Sequence, residues 1–89
     1  MISIQSIIDI VLSSIIYTVE SDEKPDQTSF FIGPKSVYSS LQIVQIIALI
    51  EDELDTLGFN DYDLFDKLLS HSELSIASLC EFIYSDLCK

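Results

Sequence analysis

The sequence predicts an all-α fold, a small bundle of four helices with a long loop between helices 1 and 2 and a short helix 3. Apolar residues recur at the helical period in four segments, and three of these segments follow a residue that can cap a helix. Glycine and proline number only two each, which favours long regular elements. The chain of 89 residues has room for one core, so residues 1–89 are predicted to form a single domain.

The composition is both apolar and strongly acidic. Hydrophobic residues make up 48% of the chain, which is enough for a packed core. Fifteen acidic residues against four basic ones give a net charge of −11. This charge repels nucleic acids and anionic membranes and attracts basic protein surfaces. We therefore expect protein partners, no nucleic acid, no membrane and a monomer, although solubility alone is the alternative explanation of the acidity.

The first helix is predicted over residues 3–19. Its apolar residues repeat with a 3.6-residue period and define one buried face, at Ile4, Ile7, Ile8, Val11, Ile15 and Val19. Four serines, Gln5 and Asp9 interrupt the segment and make it a poor membrane span, and it lacks the basic start of a signal peptide. The next stretch, residues 20–38, has no periodicity and predicts a long loop, held partway by the apolar Phe30, Phe31 and Ile32.

The second helix is predicted to begin after Ser39 and to end near Leu57. Ser39 and Gln42 have the spacing of a capping box, and Gly58 is the expected stop, with Phe59 folding back after it. At about 100° per residue, one face collects the predicted core residues Ile43, Ile46, Ile47, Ile50 and Leu54. The opposite face collects Leu41, Val44 and Ala48, extended by Asp52 and Asp55. An exposed apolar strip bordered by carboxylates indicates a protein-binding helix, and burial of both faces is the alternative.

Two shorter helices complete the predicted fold. Asn60 or Asp61 is the expected cap of a short third helix that contains Leu64, Phe65, Leu68 and Leu69. Ser75 is the expected cap of a fourth helix from Ile76 to about Leu87, with an apolar stripe at Leu79, Phe82, Ile83 and Leu87. Cys80 and Cys88 lie eight residues apart in this helix, about 12 Å, which is beyond disulfide reach. Reduced thiols, one of them packed as a small hydrophobe, predict a cytoplasmic protein.

Ser40 is the candidate modification site. It is the first residue of the second helix, where backbone N–H groups lack helical partners and the helix dipole is positive. A phosphate ester on the Ser40 hydroxyl would be stabilised there, as anions are at helix N-termini. By position alone, an ordinary first-turn serine is the simpler interpretation.

From about residue 30 onward the chain resembles the acyl carrier protein family. Ser40-Leu41 is similar to the Ser-Leu of that family's phosphopantetheine attachment motif. The helix then follows the family's apolar and acidic pattern without a gap, at Val44, Ile46, Ile47, Ile50, Glu51, Asp52, Glu53 and Leu54. Residues 31–37 resemble the loop that leads into the motif, and residues 74–83 resemble the family's last helix. The longer link after helix 2 resembles that of stand-alone carriers from specialised pathways.

The resemblance implies a biosynthetic carrier rather than an enzyme. A phosphopantetheinyl transferase would attach 4′-phosphopantetheine covalently to Ser40 and so produce a phosphoprotein. The thiol of this arm would hold an acyl or aminoacyl group as a thioester. Loading and transferring enzymes with basic docking surfaces would bind helix 2. The docking residues that the resemblance implies are Leu41, Val44, Ala48, Glu51, Asp52 and Asp55.

The chain departs from the family pattern at Ser39, where the family usually has Asp, and at Gln42 and Gln45, where acids are frequent. The lost carboxylate keeps open a second hypothesis, a degenerate carrier fold that binds proteins with Ser40 unmodified. A small enzyme is the third hypothesis. His71 is the single histidine, and neither a Gly-rich phosphate loop nor a metal-ligand spacing is present, so no catalytic and no metal-binding residues are predicted.

Overall fold

A computed structural model describes residues 3–20, 25–59 and 62–88. Its elements are, in chain order, α1 (Ile4–Val19), β1 (Phe30–Ile32), α2 (Ser40–Thr56), α3 (Leu64–Leu68), β2 (Leu74–Ser75) and α4 (Ile76–Leu87). The four predicted helices are therefore present, and the fold is mostly helical with a minor two-stranded sheet. Among the described residues, no helix has the length and apolarity needed to span a bilayer.

Helix α1 packs against both α2 and α4, and its buried face contains members of the predicted stripe together with Leu12 and Ser14, which were not predicted. Ile7, Val11 and Ile15 are buried, and the other three members of the stripe are half-buried against the same core. Four of these six residues are isoleucine, whose branched side chain lowers the intrinsic helix propensity. Burial of this face therefore stabilises α1 more than local propensity does.

Helix α2 begins and ends as predicted. The Ser39 hydroxyl accepts a hydrogen bond from the Gln42 backbone N–H, and the Gln42 side chain accepts one from the Ser39 backbone N–H, which completes the capping box. At the other end Gly58 has a φ of 102°, a conformation that favours glycine. The N–H groups of Gly58 and Phe59 donate to the carbonyls of Asp55 and Leu54, which is the Schellman arrangement.

The loop predicted over residues 20–38 contains a strand, so the all-α prediction is incomplete. Strand β1 pairs antiparallel with β2, with Phe30 opposite Ser75 and Ile32 opposite Leu74. Phe31 points into the core and is completely buried. The pairing joins the segment before α2 to the segment before α4. Periodicity within either short segment carries no signal of a partner more than 40 residues away.

Helix α3 starts later than predicted. Its N-cap is Asp63, whose carboxylate accepts a hydrogen bond from the Asp66 backbone N–H, whereas the expected caps Asn60 and Asp61 lie outside the described residues. Of the four apolar residues expected in it, Leu64 and Leu68 are buried, while Phe65 and Leu69 are exposed. A helix of five residues buries one narrow stripe, so two of its apolar side chains stay at the surface.

Helix α4 is capped by Ser75, as predicted, and its Leu79 and Ile83 are fully buried. Its first backbone N–H groups are satisfied by the loop before β1. Ile76 and Ala77 donate to the carbonyls of Ser29 and Gln27 over 2.9 and 2.8 Å. The loop is thus bound to the start of α4 by backbone hydrogen bonds as well as by the sheet, and this holds the chain that leads into α2.

Candidate functional site

Ser40 lies at the surface, at the first position of α2. The capping box places Ser39, not Ser40, against the helix backbone, so the Ser39 hydroxyl is occupied in capping. The chain before it is ordered by Tyr38, whose ring packs on Phe31 with centroids 6.0 Å apart, and by the Ser36 hydroxyl, which accepts from the Tyr38 N–H. The exposed hydroxyl of Ser40 is therefore held in a defined position at the positive end of the helix dipole.

The opposite face of α2 from the core is exposed, as predicted. Leu41 is 66% exposed and Val44 is 46% exposed, and Ala48 is also exposed. Asp52 and Asp55 continue this face at the surface. The alternative in which both faces of α2 are buried is wrong, because Ile46, Ile47, Ile50 and Leu54 alone supply the buried side of the helix. We call Leu41, Val44 and Ala48 the apolar strip.

Glu51 has a role inside the fold that the sequence did not indicate. Its Oε2 accepts hydrogen bonds from the backbone N–H groups of Leu64 and Phe65, over 2.8 and 3.3 Å. These are the first two residues of α3, so Glu51 caps that helix from α2. The carboxylate of Glu51 is engaged within the chain, and Asp52 and Asp55 are the exposed acidic residues that continue the face of the apolar strip.

Four further apolar side chains are exposed and were not predicted as part of the site. They are Val37 at 80%, Leu57 at 54%, Phe65 at 42% and Leu69 at 67% exposed. Val37 lies two residues before the Ser39 cap of α2, Phe65 lies in α3, and Leu69 is the C-cap residue of α3. For Phe65 and Leu69 the sequence carried a signal, because a very short helix cannot bury four apolar residues; Val37 and Leu57 had no such signal.

The remaining chemistry-bearing groups do not gather at one place. The His71 ring packs edge-on against Phe82, with centroids 5.1 Å apart, and the described residues contain no cluster of His, Cys, Asp or Glu that could hold a metal ion. Lys67 and Asp86 form the one ion pair among the described residues, at 3.2 Å. Lys35 and Lys67 each lie near an aromatic ring, that of Phe30 and that of Tyr62 respectively.

The two cysteines lie in different environments, and neither forms a disulfide. Cys80 is buried in the core, where loss of hydration raises the pKa of its thiol to about 11. Cys88 is exposed at the end of α4. The prediction that one cysteine packs as a small hydrophobe is therefore confirmed for Cys80.

No protein-family model matches the chain, and neither a curated protein nor a solved structure does.

Proposed function

We propose that this chain is a carrier protein whose four helices form a bundle of the acyl carrier protein type, with Ser40 as its attachment site. The observation that carries the proposal is an exposed serine at the first turn of a capped helix, directly followed by an exposed apolar strip with carboxylates beside it. A covalent 4′-phosphopantetheine supplies a thiol that holds an acyl or aminoacyl group as a thioester. The protein itself is no enzyme in this proposal.

The residues around Ser40 fit such a group. In the transfer, the Ser40 oxygen would bond to the phosphorus next to pantetheine as the pyrophosphate bond of coenzyme A breaks. Adenosine 3′,5′-bisphosphate would leave, and the serine proton would pass to the transferase. The resulting phosphodiester would lie near the first N–H groups of α2, which have no acceptor within the helix. Ser39 already caps the helix through Gln42, so modification of Ser40 leaves this cap intact.

Partner enzymes would dock on α2 through the apolar strip. Leu41 and Val44 supply apolar area within one helical turn of Ser40, and Asp52 and Asp55 attract basic residues of the partner. With a net charge of −11, the chain should associate through long-range attraction that weakens as salt is added. Loading and transferring enzymes of a cytoplasmic biosynthetic pathway are the proposed partners, with the carrier as a monomer.

The test is the intact mass of the protein after co-expression with a phosphopantetheinyl transferase of broad specificity. We expect the mass of one phosphopantetheine to be gained by the wild type and by Ser39→Ala, and to be absent from Ser40→Ala. A gain in Ser40→Ala but not in Ser39→Ala would place the attachment one residue earlier. No gain under conditions that modify a control carrier would overturn the proposal.

The same mass assay, applied to the variant Val44→Asp, tests whether the transferase docks on the apolar strip. This change puts a charge into the apolar strip next to Ser40, so modification by the transferase should slow several-fold while the far-UV circular dichroism spectrum is unchanged. Ser85→Asp is the matched control, because it adds the same charge at an exposed position of α4, on a different helix from the strip. Equal slowing by both variants would show that added charge, and not the strip, governs the reaction.

A second candidate function is a protein-binding module in which Ser40 stays unmodified. Ser39 favours it, because this position lacks the carboxylate that the family usually presents beside the modified serine. The apolar strip could bind a partner without any prosthetic group. The mass measurement separates the two, since the module predicts no gain even when the transferase is abundant.

A further inference from the structure

A groove between α1 and α2 is a second surface feature, separate from Ser40. One part of it encloses about 440 Å³ and is lined on α1 by Asp9, Ile10, Ser13, Ser14 and Tyr17 and on α2 by Leu49, Asp52 and Glu53. A second part of about 550 Å³ shares Tyr17, Leu49 and Asp52 and extends to Thr18, Glu20, Gln45 and Ala48. The two parts therefore form one continuous depression.

The dimensions of the groove suit a segment of polypeptide. Its lining extends over 12 residues, from Asp9 in α1 to Glu20 at the C-cap, or about 16 Å along the helix axis. On α2 it extends from Gln45 to Glu53, or about 12 Å. Two to three turns of a helix have this length, and a groove between two helices is a common receptor for an amphipathic helix.

The groove has an apolar floor with an aromatic side chain at its border. Ile10 and Leu49 are half-buried within it, and Tyr17, which is 76% exposed, lies where both parts meet. A tyrosine this exposed adds little to folding, yet it offers a large rigid contact area for a partner. The hydroxyl of Thr18 is buried without a hydrogen-bond partner among the described residues, and Thr18 lines the second part.

The rim of the groove carries charge of a single sign. Asp9, Asp52, Glu53 and Glu20 line it, and none of the described residues that line it is basic. A second copy of this chain is a poor occupant, because each copy carries a net charge of −11 and would repel the other. A segment with an apolar face and lysine or arginine on either side complements both the floor and the rim.

We propose that the groove between α1 and α2 binds a basic amphipathic helix of a partner protein. The side chains of its apolar face would pack on Ile10, Leu49 and Tyr17, and its cations would lie against the four carboxylates. The groove shares Ala48 with the apolar strip and includes Asp52 next to it, but it does not include Ser40. The proposed binding therefore does not depend on whether Ser40 is modified. A partner bound in the groove would lie beside, and leave open, the N-terminal turn of α2.

The test uses Ser40→Ala protein and a fluorescein-labelled helical peptide of 14 residues, with leucines on one face and lysines on the other. Fluorescence anisotropy gives the Kd at low salt. The groove variant Asp9→Asn/Glu53→Gln should raise the Kd about three- to tenfold, since it removes two exposed charge contacts. The matched control Glu73→Gln/Glu81→Gln removes the same charge at exposed positions away from the groove and should change the Kd less than twofold.

Two further measurements define the contact itself. Tyr17→Ala should weaken binding without a change in melting temperature, because the side chain is mostly exposed. Amide chemical shifts should change at residues 9–20 and 45–53 when the peptide is added. Any of four results would overturn the proposal. The first two are equal weakening of binding by the groove and control double variants, and shift changes that are confined to the apolar strip. The other two are a failure of the peptide to bind up to millimolar concentration, and equally strong binding of a peptide with glutamine in place of lysine.

Discussion

Ser39 and Ser40 are adjacent and chemically identical, yet the structure separates their roles. The Ser39 hydroxyl accepts a hydrogen bond from the backbone at the start of α2, whereas the Ser40 side chain faces the surface. Aspartate at position 39 would cap the helix in the same way, because both side chains accept from the backbone N–H three residues later. Serine at position 39 therefore serves the fold as aspartate would, but it places no negative charge beside Ser40.

Replacing Ser39 with alanine should destabilise the protein by about 1 kcal/mol, because both hydrogen bonds of the capping box depend on this residue. Ser40→Ala should change the free energy of unfolding by less than about 0.5 kcal/mol, since alanine is favourable in the first turn and Ser40 is exposed. Urea unfolding followed by circular dichroism measures both. Equal losses in the two variants would mean that Ser40 shares the capping role.

At the scale of elements, α2 was the most predictable part of the molecule. Its cap, its stop at Gly58 and its two faces follow from residues within the helix or next to it, so a local reading of the sequence suffices. The sheet was missed for the opposite reason. Phe30 pairs with Ser75, and nothing in a three-residue apolar segment indicates which distant residues will supply its hydrogen bonds.

Glu51 is a second residue whose contact with a distant part of the chain was not predicted from the sequence. The resemblance placed it among the docking residues, but it caps α3 from a position 13 residues earlier in the chain. A helix of five residues satisfies few of its own backbone groups, so a carboxylate from a neighbouring helix has a large effect on it. Glu51 thus links the position of α3 to that of α2.

Glu51→Ala should destabilise the protein by about 1–2 kcal/mol, because two backbone N–H groups lose a charged acceptor. Hydrogen exchange at the amides of Leu64 and Phe65 should accelerate at the same time. Glu53→Ala is the matched control, since Glu53 lies two residues further along α2 and is exposed. If Glu53→Ala is as destabilising as Glu51→Ala, the effect reflects helix propensity or net charge rather than the cap.

At the scale of the whole molecule, the sequence predicts the core and the exposed strip but not how surfaces from different helices combine. The groove between α1 and α2 joins Tyr17 to Leu49, residues that each look unremarkable in their own helix. Its carboxylates also come from both helices. Features of this kind depend on the packing of α1 against α2. Helical periodicity shows which face of a helix is buried, but it does not show which other helix packs on that face.

The core also contains groups whose protonation links the stability of the whole fold to pH. Burial raises the pKa of the Cys80 thiol from its ordinary value of 9.0 to about 11. Burial, and then the negative charge of Asp86, raise the pKa of Tyr62 well above its ordinary value of 10.0. Both groups hold their protons more tightly in the folded state. The stability that Cys80 contributes is therefore complete below pH 9 and is lost as the pH rises through about 11.

The free energy of unfolding should accordingly fall by about 1–2 kcal/mol between pH 8.5 and pH 10.5 through Cys80 alone, because ionisation of its thiol favours the unfolded chain. Urea unfolding at a series of pH values measures this slope. Cys80→Ala should flatten it, leaving the part due to Tyr62, whereas Cys88→Ala, which removes an exposed thiol, should retain the full slope. Two results would contradict this expectation: a wild-type stability that does not change over this pH range, or equal slopes in the two variants. Either would show that the Cys80 thiol ionises as easily in the folded protein as in the unfolded chain.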